Sequence, residues 1–136
     1  MERYRHTVQY YETDKMGITH HSNYVRWMEE ARIDFLQQLG WDYAKLEQAG
    51  VFSPVTAIEC KYRANTTFPE EIQIEVRVAA FKNAILKLEY RMTNQADQVV
   101  LEARSEHCFL DPDGKLIRLS SKCPELAQAL AALSEA

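Results

Sequence analysis

The clearest pattern in the chain is a change of hydrophobic period near residue 23. From there Tyr24, Trp27, Met28, Ala31, Phe35, Leu36 and Leu39 recur at helical spacing, with Arg26, Glu29, Glu30, Arg32 and Gln37 between them. The spacing predicts a helix of about 17 residues, roughly 25 Å long. Ser22 or Asn23 suits its N-cap and Gly40 its stop. The apolar stripe is broad, so the helix is expected to be largely covered, with Trp27, Met28 and Phe35 in the core. Ahead of it, residues 4 to 11 alternate loosely and predict a first strand, and the next twelve are irregular with Gly17 as the bend. A second, shorter helix is predicted from Asp42 to Gln48, ending near Gly50.

Beyond Gly50 the period becomes two. "VTAIECKYRA" precedes "IQIEVRVAAF", where Ile72, Ile74, Val76 and Val78 alternate with Gln73, Glu75 and Arg77. "ILKLEYRM" and "QVVLEARSEHCFL" continue the alternation, and "DPDG" at 111–114 marks a turn before "KLIRL". Such alternation implies antiparallel strands with one covered face. The tail "CPELAQALAAL" reads as a terminal helix with Pro124 at its first position. One strand, a long helix and then four or five strands predict an α+β architecture, a single domain over 1–136 with the helix against one sheet. A sheet covers only one side of a helix, so a second copy is expected against the other.

Composition narrows the class. At 46% apolar and 26% charged residues the chain is ordinary for a globular domain. A net charge of -4 lacks the basic excess of a nucleic-acid protein, though it permits a local patch for a phosphorylated small molecule. No apolar run approaches the roughly 18 residues of a membrane span, and "MERYRHTVQYY" has no apolar centre like that of a signal peptide. Cys60, Cys108 and Cys123 are odd in number and scattered, as reduced thiols in a cytoplasm would be.

Candidate chemistry collects before the long helix. Asp14 stands in a loop leading to a helix N-terminus, whose unpaired N–H groups and partial positive charge favour an oxyanion. A carboxylate held there can activate water or attack a carbonyl directly. Gly17 allows the two to converge. Taken alone, an aspartate before a loop glycine is more often a turn residue. The adjacent His20 and His21 have poor metal-ligand geometry, and no third ligand stands at a suitable spacing. No GxSxG occurs, so a serine hydrolase elbow is not indicated.

The combined pattern is more specific. "DKMGITHHSNY", followed by "RW" and "EEAR", resembles the signature of the 4-hydroxybenzoyl-CoA thioesterase branch of the hotdog-fold superfamily: an Asp, two residues, a Gly, six residues and a Tyr at the head of the long helix. "SPVTAIECKYRANTTFPEEIQIEVRV" is similar to the family's paired strands and "LEARSEHCFLDPDGKLIRL" to its last hairpin. The resemblance implies a hotdog fold, a long central helix wrapped by a five- or six-stranded antiparallel sheet, with homodimers or dimers of dimers and the active site at the dimer interface. It implies hydrolysis of a fatty or aromatic acyl-CoA. Asp14 would be nucleophile or general base, the Tyr24 backbone N–H would polarise the carbonyl, Gly17 would shape the loop, and His21 would orient water or the acyl group. Lys82, in "AAFKNAIL", would meet the coenzyme A phosphates where relatives carry several basic residues. No cofactor beyond the coenzyme A of the substrate and no metal is implied. An acyl carrier protein thioester is the alternative substrate, and a non-catalytic acyl-CoA-binding protein of the same fold is the rival from another class.

Overall fold

The helical spacing is realised as α1 (Ser22–Gln38), which matches the predicted extent. Its end is a glycine stop: Gly40 adopts φ +86°, and the N–H of Trp41 bonds the Leu36 carbonyl at 2.9 Å. Its start differs from expectation. Ser22 and Asn23 both lie inside the first turn, where the Ser22 hydroxyl meets the His20 ring at 2.8 Å and the Asn23 amide reaches back to the Glu12 carbonyl at 2.9 Å. Both candidate caps are therefore engaged with the preceding loop.

The computed structural model describes residues 1–135. The strands β1 (Tyr4–Thr7), β2 (Val55–Tyr62), β3 (Glu71–Phe81), β4 (Ile85–Thr93) and β5 (Val99–Cys108) form one five-stranded antiparallel sheet in the order β1-β3-β4-β5-β2. Two further helices are α2 (Tyr43–Gln48) and α3 (Pro124–Ser134). Asp42 caps α2 by accepting the Lys45 N–H at 2.7 Å. Pro124 opens α3, as predicted. Among the described residues no helix is long and apolar enough to cross a membrane.

Two expected strands are shorter or absent. Residues 4 to 11 form a strand only to Thr7, which pairs with Glu71 in an antiparallel register that sets His6 against Ile72. Tyr10–Glu12 instead make a 3₁₀ turn, because the Glu12 carboxylate accepts the Gln9 N–H at 2.8 Å and folds the chain back. "KLIRL" forms no strand of the sheet, but Leu116 makes an antiparallel bridge to Leu110 and the Ile117 N–H bonds the Phe109 carbonyl at 2.9 Å, so the "DPDG" turn closes a short hairpin. Past that bridge Asn83, at φ +64°, accepts the Ser120 N–H through its side chain and the Leu119 N–H through its carbonyl, at 2.8 and 2.9 Å, where the chain enters a 3₁₀ turn at Leu119–Ser121.

The residues form two compact units. The first comprises Met1–Phe35, Cys60–Val76 and Tyr90–Ala103. Its core joins Tyr24, Trp27, Met28, Ala31 and Phe35 of α1 with Ile72, Ile74, Tyr90, Met92, Val100 and Leu101 of the strands. Arg32 is buried there and donates to the Tyr90 hydroxyl at 3.1 Å. The second unit comprises Leu36–Glu59, Arg77–Glu89 and the chain from Arg104 on. Its core is built on Leu46, Val78, Leu86, Leu88, Phe109, Leu119, Leu126 and Leu130.

In the first unit the segment read as irregular is a small hairpin. The His20 N–H bonds the Glu12 carbonyl at 2.8 Å, Thr13 and Thr19 form an antiparallel bridge, and the Asp14 N–H bonds the Ile18 carbonyl at 2.9 Å. No side-chain alternation announces it, because backbone pairing and the hydroxyls of Thr66 and Thr67 hold it. At its root Glu12 is buried and accepts from Trp27 Nε1 at 2.7 Å, while its other oxygen meets His6 Nε2 at 2.8 Å.

Burial alone would push the Glu12 carboxyl up, but the bonds from Trp27, Gln9 and His6 outweigh it and hold the group below the usual carboxylate range. A depressed folded value means that this stabilisation is full above the unfolded value of about 4.3 and is lost as pH falls through the lower folded value. Glu12→Gln is expected to cost roughly 1–3 kcal/mol at neutral pH, and the gap to wild type should close on acidification. Urea midpoints between pH 3 and pH 7 check this; a gap independent of pH would show that the charge contributes nothing.

Candidate active site

Asp14 opens the turn at the tip of the Glu12–His20 hairpin. Its Oδ1 accepts the Met16 N–H at 2.8 Å, its carbonyl accepts the Gly17 N–H at 2.9 Å, and the side chain is half-buried. Gly17 sits at φ +80° with open space where a Cβ would stand, so backbone conformation rather than crowding calls for glycine. Its carbonyl accepts the Thr67 hydroxyl at 2.6 Å. The Thr19 N–H bonds the Thr66 carbonyl at 2.9 Å, and the Thr19 and Thr66 hydroxyls pair at 2.6 Å. The hairpin is thus held along one arm by residues 66–67 and at its root by Glu12.

The other arm runs directly into α1. His20 and His21 are exposed and stack on each other at 4.3 Å, and His21 meets the edge of the Tyr62 ring at 6.3 Å. Tyr24 is buried, with its hydroxyl 2.9 Å from that of Thr66 and its ring against Trp27 and Tyr62 at 4.8 and 5.6 Å. Its backbone N–H reaches the His21 carbonyl at 3.3 Å, beyond the usual range for an N–H to oxygen bond. An approaching carbonyl oxygen can compete for that donor.

Burial raises the Tyr24 hydroxyl despite the lowering effect of its bonds to Thr66 and Thr19, and burial with the neighbouring Cys60 raises that of Tyr62. Both phenols therefore remain protonated at neutral pH and can donate a hydrogen bond but not take a proton. Asp14 is the carboxylate of this hairpin tip. A carboxylate and a helix-end N–H within one short segment can promote attack on an activated carbonyl and bear the resulting oxyanion.

Four of the sequence-predicted residues, Asp14, Gly17, His21 and Tyr24, lie on this one segment of the first unit. Lys82 belongs to the second unit, exposed in the β3–β4 turn with its N–H bonded to the Ile85 carbonyl at 2.9 Å. Beside it Asn83 serves the turn, through its left-handed backbone and its clasp on Ser120. Sequence reasoning missed Glu12, Thr19, Thr66 and Tyr62. Tyr24 and Thr66 are 42 residues apart, and Trp27 and Glu12 are 15 apart, so no local pattern pairs them. Among the described residues no group of three His, Cys, Asp or Glu side chains stands where it could hold a metal ion.

The model of the thioesterase-like superfamily matches residues 8–132. A putative esterase of Aquifex aeolicus is 30% identical over 123 residues, covering 90% of this chain and 94% of its own. A putative acyl-CoA thioesterase of Bacillus subtilis is 32% identical over 106 residues, or 78% of this chain and 77% of its own. The crystal structure of a DHNA-CoA thioesterase from Staphylococcus aureus superposes with a TM-score of 0.90 at 30% identity, over 94% of this chain and 87% of that one. With the five-stranded antiparallel sheet, the long helix and the acid-bearing hairpin at its head, these likenesses identify the chain as a member of the thioesterase-like superfamily, a hotdog-fold thioester hydrolase.

Proposed function

We propose that the protein hydrolyses the thioester of a fatty or aromatic acyl-CoA. The observation that carries this reading is the short segment that holds Asp14 at a hairpin tip and the Tyr24 N–H in the first turn of α1. The names of the Bacillus subtilis and Staphylococcus aureus relatives support acyl-CoA as the substrate class. Asp14 acts either as a general base, taking a proton from the water that attacks the carbonyl carbon, or as a nucleophile whose acyl anhydride water then opens. The oxyanion is borne by the Tyr24 N–H and the positive end of α1. The carbon–sulfur bond breaks, and the departing thiolate of coenzyme A takes up a proton. Thioesters are activated acyl donors, so one carboxylate and one oxyanion donor suffice.

His21 orients water or the acyl group from the exposed rim, beside the ring of Tyr62. Gly17 keeps the turn in the left-handed conformation that aims Asp14. Lys82 attracts the coenzyme A phosphates as a single mobile cation, with no bidentate grip.

The same reading includes a homodimer. β2 is an edge strand of eight residues, long for an unprotected edge, and it leaves Val55, Ile58 and Tyr62 at 40%, 39% and 50% exposure. Pairing with the β2 of a second copy satisfies that edge and brings the partner beside Tyr62, hence beside His21. Two dimers can associate further into a tetramer.

Steady-state hydrolysis of short, long and aromatic acyl-CoAs tests the main reading. Asp14→Asn and Asp14→Ala are each expected to lower kcat by about 10²- to 10⁴-fold with an unchanged circular dichroism spectrum, and full activity in either removes Asp14 from its role. Turnover of acyl carrier protein thioesters alone would redirect the substrate, and binding without turnover of either class would indicate a non-catalytic protein. Lys82→Ala should raise KM roughly two- to fivefold at low salt with kcat unchanged, an effect that fades as salt screens the charge. Light scattering should return at least twice the 15.8 kDa chain mass; a stable monomer that is fully active would overturn the dimer.

A further inference from the structure

Five hydrogen bonds converge on Glu12, a residue the proposed reaction does not use. The residue is 5% exposed, and its carboxylate receives Trp27 Nε1 at 2.7 Å, His6 Nε2 at 2.8 Å and the Gln9 N–H at 2.8 Å. Its carbonyl receives the His20 N–H at 2.8 Å and Asn23 Nδ2 at 2.9 Å. A plain turn needs none of this, because the Asp14–Gly17 turn already closes through its own backbone and the Asp14 side chain. Burying a carboxylate is costly unless it is fully bonded, so the site around Glu12 is a built one.

The partners define what the residue does. Asn23 and Trp27 are on α1, one in its first turn and one a turn later, and His20 is the last residue of the hairpin. Glu12 therefore joins the root of the hairpin to two successive turns of the helix. The hairpin tip carries Asp14, and the first turn of the helix carries the Tyr24 N–H. We infer that Glu12 is a positioning residue for thioester hydrolysis, which fixes the separation and orientation of the Asp14 carboxylate and the Tyr24 N–H through its bonds to Trp27, Asn23 and His20. The inference rests on the thioesterase reading and adds to it the anchor that sets its geometry. A misplacement of about 1 Å in such an arrangement costs on the order of 10²-fold in rate, with little effect on binding of the remote parts of the substrate.

The geometry makes Glu12→Gln a sharp probe. The amide has the same shape but only one acceptor oxygen, so its NH₂ must face a donor on one side. Trp27→Phe removes a single donor and keeps most of the ring volume. Kinetics of wild type, Glu12→Gln and Trp27→Phe are compared on the best acyl-CoA of the panel, well below each thermal midpoint, alone and combined with Asp14→Asn.

A positioning role predicts a kcat lowered about 10- to 100-fold in Glu12→Gln, with KM within about twofold, and a smaller loss of the same kind in Trp27→Phe. On the Asp14→Asn background the Glu12 change should cost almost nothing more, because a misplaced base cannot matter when the base is gone. Wild-type kcat in a folded Glu12→Gln protein, or an undiminished loss on the Asp14→Asn background, would overturn the proposal. If Glu12→Gln does not fold, wild-type kcat in Trp27→Phe overturns it. Absence of wild-type turnover on both acyl-CoA and acyl carrier protein thioesters would sink the thioesterase reading and the positioning role with it, whereas undiminished kcat in Glu12→Gln sinks only the latter.

Discussion

A charged group taken out of water must find its compensation within the fold, and in this protein Glu12 does so by drawing three chain segments together. β1 supplies His6, the 3₁₀ turn supplies Gln9, and α1 supplies Trp27. The requirement works backwards along the chain: it ends β1 at Thr7 and forces the return that begins the hairpin. It also explains why a tryptophan, with its lone N–H, stands in the middle of an otherwise apolar helix face. The network continues outward, from His6 Nδ1 to Glu30 at 3.4 Å and from the Tyr4 hydroxyl to the same carboxylate at 2.8 Å, so the start of the chain is tied to α1 by side chains.

The hairpin has a second tether of a different kind. The Thr19, Thr66 and Tyr24 hydroxyls form a neutral, buried cluster, and Thr67 reaches the Gly17 carbonyl. Neutral hydroxyls can exchange donor and acceptor roles, which lets the cluster adapt to either rotor arrangement. Glu12 offers no such freedom, because an ionised carboxylate only accepts. One arm of the hairpin is thus held by an adaptable contact and its root by a directional one. In the proposed reaction this leaves the tip, where Asp14 lies, supported from two sides without being enclosed.

Elements with strong local signals were legible in the sequence. α1 is fixed by apolar spacing and by Gly40, α2 by Asp42 and Gly50, α3 by Pro124, and β3 and β4 by their alternation. Asp14, Gly17, His21 and Tyr24 could be proposed from the sequence because they are close together and match a family signature, which also led to the hotdog fold. The failures share a cause. β1 was read too long because Tyr10 and Tyr11 continue its pattern while Glu12 overrides it, and "KLIRL" keeps only the Leu110–Leu116 bridge, with nothing in those residues disclosing the clasp of Asn83 on Ser120, 37 residues away.

What the sequence by itself determined is therefore local and short-ranged: the helices, the alternating strands, and the acid, the glycine and the helix head that follow one another within eleven residues. Those follow from side-chain periodicity and backbone preference, which act between near neighbours. The tertiary structure alone decided where the chain stops being a strand, which hydroxyls brace the hairpin, and that the glutamate before the Thr13–Asp14 pair is an anchor rather than a surface charge. These depend on partners far away in the chain. The physical reason is that the worth of a buried polar group is set by the donors that reach it, and only the folded chain brings them within reach.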